Sequence, residues 1–221
     1  MKVTLIIPAK NEASCIKDVL SSIDIQVISE VLVVDGHSSD GTPDIVKSYG
    51  FRVIEQEGKG YGAAVMTGIK YASGDIITMV DADGSYNLKD IPNLLECLKE
   101  GFDIAYGSRY MPGSGSADNT VLRDIGNKTF TYLLNILHGV NISDSLFLYV
   151  AASKKVFESL DIRSKNFEYC IEFPIKAHRA GYSHKEIPSY ENKRIAGKSK
   201  VNAFYHGLRI LWVLIREKFK Q

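Results

Sequence analysis

Asp81-Ala82-Asp83 closes an apolar run, Ile76-Ile77-Thr78-Met79-Val80, that has the composition of a buried strand. Two carboxylates one residue apart, where a strand opens into a loop, can both reach toward one hard divalent cation. Oxygen ligands suit Mg²⁺ or Mn²⁺, and a cation held there can neutralise a diphosphate. A D-x-D alone is common on solvated loops, so its weight comes from its surroundings. Three further polar groups follow apolar runs: Pro8-Ala9-Lys10-Asn11-Glu12, Asp35, and Gly107-Ser108-Arg109. A basic segment near the end supplies Lys193, Arg194, Lys198 and Lys200, cations able to draw two anions together or, equally, to coat a solvated loop. Glu168 and Glu172 lie one helical turn apart and could flank an acceptor, as could Asp144. Taken singly, Asp35 also reads as a turn former before Gly36, and Glu12 as a first-turn helix acid. The five histidines are scattered and show no zinc-ligand spacing.

The elements that must position these groups alternate. Strands are predicted over 3–7, 31–34, 52–54, 76–80 and 103–106. Helices are predicted over 12–23, 42–49, 60–72 and 90–100. Pro43 suits the first turn of the second helix and Gly50 its stop. Near-continuous apolar strands separated by helices predict a mostly parallel sheet covered on both faces. In such sheets ligands bind outside the carboxyl ends of the strands, where all four polar groups fall. The second half is less regular: a flexible loop over 111–119, a helix over 122–137, a strand over 146–151 and a helix over 169–180. An irregular basic stretch over 185–200 and a final helix over 203–218 follow. The expected division is a domain over 1–200 and a C-terminal amphipathic helix over 201–221.

A chain of 221 residues suffices for one domain with a real core. Apolar residues make up 45% and charged residues 24%, ordinary for a globular protein. A formal charge of +1 gives no bulk field favouring nucleic acid. Three widely spaced cysteines without a C-x-x-C, no apolar run of membrane-spanning length and no signal segment before the first strand predict a cytoplasmic protein with free thiols.

Taken together, the motifs resemble the family 2 glycosyltransferases of the GT-A (Rossmann-like) fold, and among them the branch that transfers a sugar to a polyprenyl (dolichyl) phosphate. Ile6 to Glu12 resembles the family's opening motif, and Val33 to Thr42 its second. Gly58-Lys59-Gly60-Tyr61-Gly62-Ala63-Ala64 is similar to its glycine-rich segment. Val80-Asp81-Ala82-Asp83-Gly84 is similar to its metal motif, and Gly107-Ser108-Arg109-Tyr110 to the next. Glu186-Ile187-Pro188, Arg194 and Gly197-Lys198-Ser199-Lys200 resemble the late motif of the polyprenyl-phosphate branch. The resemblance implies that Pro8, Ala9, Glu12 and Asp35 line a nucleoside pocket, Asp35 toward the base and Glu12 toward the ribose. It places Lys59 near the nucleotide, Asp81 and Ala82 on the nucleotide side, and Asp83 directly on the metal. It implies that Arg109 and Arg123 bracket phosphates, and that Arg194 and Lys198 face the acceptor phosphate or the leaving diphosphate. Two departures stand out. Gly36 occupies a position often held by a second acid, which leaves UDP- and GDP-sugars both open. Asp144 to Tyr149 differs from the branch's usual glycine- or cysteine-containing run.

The expected chemistry is inverting, metal-dependent transfer from a nucleoside diphosphate sugar. The largest task is to stabilise charge growing on the leaving diphosphate, and a phosphate acceptor needs no general base because it is already anionic. The alternatives are the same donor with a glycan hydroxyl, a sugar nucleotidyltransferase, and an inactive nucleotide-sugar-binding module. A dinucleotide-binding reading of Gly58 to Ala63 is set aside, because that fingerprint belongs after the first strand, not the third. Phe204, Leu208, Leu211, Trp212, Ile215 and Phe219 recur at helical spacing beside Arg209, Arg216, Lys218 and Lys220. Such a helix suits a peripheral contact with the cytoplasmic face of a membrane, or docking on the core or a second subunit.

Overall fold

The computed structural model describes residues 1–197 and 203–220. Seven strands form one sheet in the order β3-β2-β1-β4-β7-β5-β8. They are β1 (Val3–Ala9), β2 (Glu30–Asp35), β3 (Arg52–Glu55), β4 (Ile76–Met79), β5 (Ile104–Ser108), β7 (Val150–Ser153) and β8 (His184–Pro188). β7 runs antiparallel to β4 and β5; every other pairing is parallel. The carboxyl ends of the parallel strands therefore share one edge. A second, two-stranded sheet joins β6 (Gly115–Ser116) to β9 (Tyr190–Glu191).

Alternate residues of each strand enter two separate apolar layers, which is why the strands read as continuous apolar runs. Ile6, Leu32, Val34, Ile77 and Met79 meet α3 (Tyr61–Tyr71), α5 (Val121–His138), α7 (Tyr169–Arg179) and α8 (Ala203–Phe219). Leu5, Ile7, Val31 and Val33 face the other side, against α1 (Ile16–Ser21), α2 (Thr42–Ser48) and α4 (Ile91–Lys99). The mostly parallel sheet, helices on both faces and the C-terminal helix are thus present. Ile210, Val213 and Leu214 on the inner face of α8 join the core.

Four differences from the sequence expectation have local causes. The helix expected over 12–23 is confined to Ile16–Ser21, because Asn11 to Ala13 is spent on bonding to the loop after β2. The Asn11 N–H donates to Ser38 Oγ (2.8 Å), Glu12 N–H to Thr42 Oγ1 (2.9 Å), and Ala13 N–H to Asp40 Oδ2 (2.9 Å). The strand expected over 146–151 starts only at Val150; at its expected start the Leu146 N–H turns back to Asp144 Oδ1 (3.3 Å), after Ser145 N–H donates to Thr131 Oγ1 (3.1 Å). The stretch expected to be irregular over 185–200 contains β8 and β9. β8 is an edge strand whose sequence hides it, with Ile187 its only buried residue. A short helix, α6 (Lys154–Ser159), completes the fold and was not expected; Ser153 caps it by accepting from Val156 N–H (3.3 Å).

Candidate functional site

A cavity of about 490 Å³ opens at the carboxyl edge of the sheet. The end of β1 supplies Pro8, Ala9, Lys10 and Glu12, and the loop after β2 supplies Gly36 and His37. Beyond β3 lie Gln56, Gly58 and Lys59, then Gly60, Tyr61 and Ala64 at the start of α3. The turn after β4 adds Asp81, Ala82 and Asp83. Asn166, Phe167, Arg194 and His206 close the far wall. The loops after β1 and β2 are stitched together by the bonds described above, so this wall is fixed before any ligand arrives.

The Asp81–Asp83 turn carries the strongest electrostatics. Tyr61 donates its hydroxyl to Asp81 Oδ1 at 2.7 Å. Asp83 Oδ1 accepts from Ser85 N–H (2.9 Å) and Ser85 Oγ (2.6 Å), while Oδ2 pairs with Arg194 at 2.9 Å. Burial, then the neighbouring Asp83 carboxylate, raises the Asp81 carboxyl from its ordinary 3.8 to about 7. Burial also keeps the Tyr61 phenol protonated and a donor.

Eight sequence-predicted site residues meet in this cavity: Pro8, Ala9, Glu12, Lys59, Asp81, Ala82, Asp83 and Arg194. Asp35 lies just behind the wall, buried, with Oδ2 accepting from Ser38 N–H (3.0 Å) and Oδ1 without a partner among the described residues. Arg109 is not brought into the cavity. It forks onto Asp144 (2.7 and 2.9 Å) and reaches Glu191 (3.0 Å). Burial opposes its charge, but these two carboxylates outweigh burial and hold it ionised. Arg123 lies in the first turn of α5, 3.6 Å from Asp118, and does not line the cavity. Glu168 is buried at the start of α7, paired with Arg209 (2.6 Å), with its second oxygen unpartnered among the described residues. Burial would raise this carboxyl, but Arg209 outweighs it and leaves it below its ordinary value. Glu172 is a packing group: it accepts from Arg163 and Ser164 amides and pairs with Lys176 and Arg216. Lys198 and Lys200 lie outside the described residues.

Sequence reasoning did not single out Gln56, His37, Asn166, Phe167 or His206 as wall residues. One signal was available for His37: it follows Asp35-Gly36 in the second motif, and it adopts a left-handed backbone, φ 60°, uncommon for a side-chain-bearing residue. His206 sits on a helix read only for its apolar periodicity, so nothing in its spacing pointed inward. The glycine-rich segment also gains a packing role. A Cβ on Gly60 would lie 2.3 Å from Lys165 O, and one on Gly62 2.5 Å from Ser164 O. The Ala63 N–H donates to Lys165 O at 2.9 Å. These glycines let α3 press against the chain at 164–166, which carries Asn166 and Phe167 into the wall.

The donor set at the turn fits a hard divalent cation. Burial first, then Asp83, raises the Asp81 carboxyl, and neither Tyr61 nor Arg194 offsets them, so the turn has room for a further positive charge. No group of three His, Cys, Asp or Glu able to cage a metal occurs among the described residues. A cation on Asp83 would therefore complete its shell with water and substrate oxygens, the habit of Mg²⁺ with phosphates.

Comparison with known proteins agrees with this geometry. The sequence profile described as Glycosyl transferase family 2 matches residues 4–160. The low-salt glycan biosynthesis hexosyltransferase Agl6 of Haloferax volcanii is 33% identical over 216 residues, covering 93% of this chain and 51% of the relative. The dolichyl-phosphate hexose transferase of the same organism is 31% identical, covering 90% of this chain and 86% of the relative. The dolichol-phosphate mannosyltransferase of Pyrococcus furiosus is 32% identical, covering 98% and 64% respectively. The chain thus spans about half the length of one of these relatives and about two thirds of another. Among solved structures, glucosyl-3-phosphoglycerate synthase from Mycobacterium tuberculosis, in complex with Mn²⁺, UDP and glucosyl-3-phosphoglycerate, superposes with a TM-score of 0.79. It is 21% identical and covers 98% of this chain and 79% of its own, a likeness of fold. The profile runs through the ends of β1 to β4 that wall the cavity, and with relatives above 30% identity it makes this chain a member of glycosyl transferase family 2.

Proposed function

We propose that this chain transfers a sugar from a nucleoside diphosphate sugar to a polyprenyl phosphate, inverting the anomeric centre. The observation that carries the proposal is one cavity that gathers Glu12, Lys59, Asp81, Asp83 and Arg194 at a sheet edge, with a volume suited to a nucleotide sugar. The unpartnered Asp35 Oδ1 calls for an N–H donor, which uracil and guanine both have. Glu12 accepts from ribose hydroxyls. Asp83 holds the divalent cation, Mg²⁺ or Mn²⁺, with Asp81 beside it; when bound, that cation neutralises charge on the leaving diphosphate. Arg194 stands close enough to the turn to receive a phosphate oxygen. The acceptor phosphate attacks the anomeric carbon as the bond to the diphosphate breaks, with no proton to remove. The names of the Haloferax and Pyrococcus relatives support a lipid-phosphate acceptor.

A lipid-linked acceptor also gives a use to the outer faces of α5 and α8, which pack together. Leu122, Ile125 and Ile136 on α5, and Phe204, Trp212 and Phe219 on α8, are exposed. No helix among the described residues is long and apolar enough to cross a membrane. A peripheral contact through this face is the corresponding proposal. Trp212 is the sole tryptophan, so anionic vesicles should blue-shift its emission. An unchanged spectrum, with no co-sedimentation, refutes the contact.

The enzymatic test is a panel of UDP- and GDP-sugars with Mg²⁺ or Mn²⁺, read as nucleoside diphosphate release with and without polyprenyl phosphate. Release that depends on metal and on the lipid phosphate is expected. Equal release with a saccharide acceptor in place of the lipid assigns the hydroxyl alternative instead.

A further inference from the structure

The chain that follows β9 crosses directly over the Asp81–Gly84 turn. The Asn192 N–H donates to Ser85 O (2.7 Å) and the Ile195 N–H to Asp83 O (3.0 Å). Ile195 lies so close on Gly84 that a Cβ there would come within 2.3 Å of its Cδ1. Gly84 itself has φ +80°, a turn that a larger residue would strain. One residue further, Ala196 O lies 3.6 Å from the buried Cys15 Sγ. Residues 192–196 thus form a strap, fastened at several points, that holds the Arg194 side chain over the carboxylates.

Asp83 has one oxygen to offer an incoming cation. Its Oδ1 already accepts two hydrogen bonds from Ser85, and its Oδ2 is held by Arg194 at 2.9 Å. A divalent cation at ordinary oxygen distance, about 2.1 Å, would stand too near the guanidinium for both to stay in a largely buried site. Arg194 and the metal therefore compete for the same oxygen.

We propose that Arg194 is the resting counter-ion of Asp83, and that it gives up Oδ2 when the divalent cation binds. This assignment rests on the metal reading of Asp83 made above. It adds that the same guanidinium keeps the acid pair partly neutralised before the cation arrives and is released toward phosphate by that arrival. Metal alone must displace a charged partner and binds weakly. Metal with a diphosphate binds better, because the diphosphate supplies Arg194 with a replacement anion. Arg194 thereby couples metal and nucleotide binding as a positioning residue.

The test is a Mn²⁺ titration of the full chain followed by electron paramagnetic resonance of the free ion, with and without UDP or GDP. Wild type is compared with Arg194→Met, Arg194→Gln and Asp83→Asn, folding being checked by circular dichroism. If the arginine-free state of Asp83 is about a tenth populated, removing Arg194 tightens binding of Mn²⁺ alone about tenfold. The nucleotide's enhancement of Mn²⁺ binding should fall in the same variants, while Asp83→Asn loses Mn²⁺ binding. Arg194 variants that bind Mn²⁺ alone no tighter than wild type, with Asp83→Asn still deficient, overturn the counter-ion role and leave the metal at Asp83 standing. Undiminished Mn²⁺ binding by Asp83→Asn overturns both.

Discussion

Replacing Asp81 by Asn removes a carboxyl that the fold holds near neutrality and keeps the side chain's shape. Its Oδ1 can still accept the 2.7 Å bond from Tyr61. In the folded chain this carboxyl is raised to about 7 by burial and by Asp83, against an ordinary 3.8. The folded state therefore binds a proton more tightly than the unfolded state does. Between these two values the native form carries more protons, so stability falls as pH rises and levels off above about 7. A rise from 3.8 to about 7 corresponds to about 4 kcal/mol in full. With those two values, roughly 2–3 kcal/mol of it should develop between about pH 5 and about pH 8. Without divalent metal, Asp81→Asn should therefore gain on the wild type by about that amount across this interval, measured by urea unfolding. Millimolar Mg²⁺ or Mn²⁺ should narrow the gap at the alkaline end by stabilising the wild type, which offers both carboxylates, more than the variant, which keeps only Asp83. A difference between the two proteins that stays flat with pH would refute the electrostatic account of this turn. So would a wild type more stable than the variant at alkaline pH without metal.

Three further substitutions separate packing from chemistry. Arg109→Met leaves the fully buried Asp144 unpaired and should cost about 3–5 kcal/mol in urea unfolding; unchanged stability with lost turnover would instead return Arg109 to a phosphate-binding role. Gly62→Ala forces a Cβ to within 2.5 Å of Ser164 O and should cost about 1–3 kcal/mol. Gly126→Ala in α5, with nothing within 4 Å, should gain about 0.5–1 kcal/mol, both being read by thermal or urea unfolding.

The sheet was legible because burial on both faces writes itself into composition. Val31 to Val34 and Ile76 to Val80 can be nothing but interior, and the acids that follow them mark where the interior ends. Once the strands are parallel, Glu12, Asp81 and Asp83 must share an edge. Elements defended by few apolar residues were not legible. β8 buries only Ile187, and β6 and β9 are two residues each, so the stretch that becomes the strap read as a basic loop. The shortening of α1 was hidden for another reason. Asn11 turns left-handed, φ 52°, and the amides of Asn11, Glu12 and Ala13 are tied to Ser38, Thr42 and Asp40, and nothing local announces partners about 27 to 30 residues away.

The two arginines show how far residue type alone carries an inference. Arg109 and Arg194 each belong to a motif that resembles the family's sequence, and each was expected as a phosphate ligand. Their difference lies in the carboxylates the fold gives them. Arg109 receives two, Asp144 and Glu191, neither of which lines the cavity, so its donors are consumed by holding the loop after β5 to the loop before β7 and to β9. Among the described residues Arg194 pairs with one, Asp83, the group that the proposed cation also requires. A guanidinium with a single carboxylate partner in an open cavity can be released by whatever replaces it there, whereas one forked between two buried or half-buried partners cannot be released without unmaking the surrounding structure. Strand periodicity locates the ends where charges gather; it cannot say which opposite charge each will meet, and that pairing decides whether an arginine on this rim is structural or exchangeable.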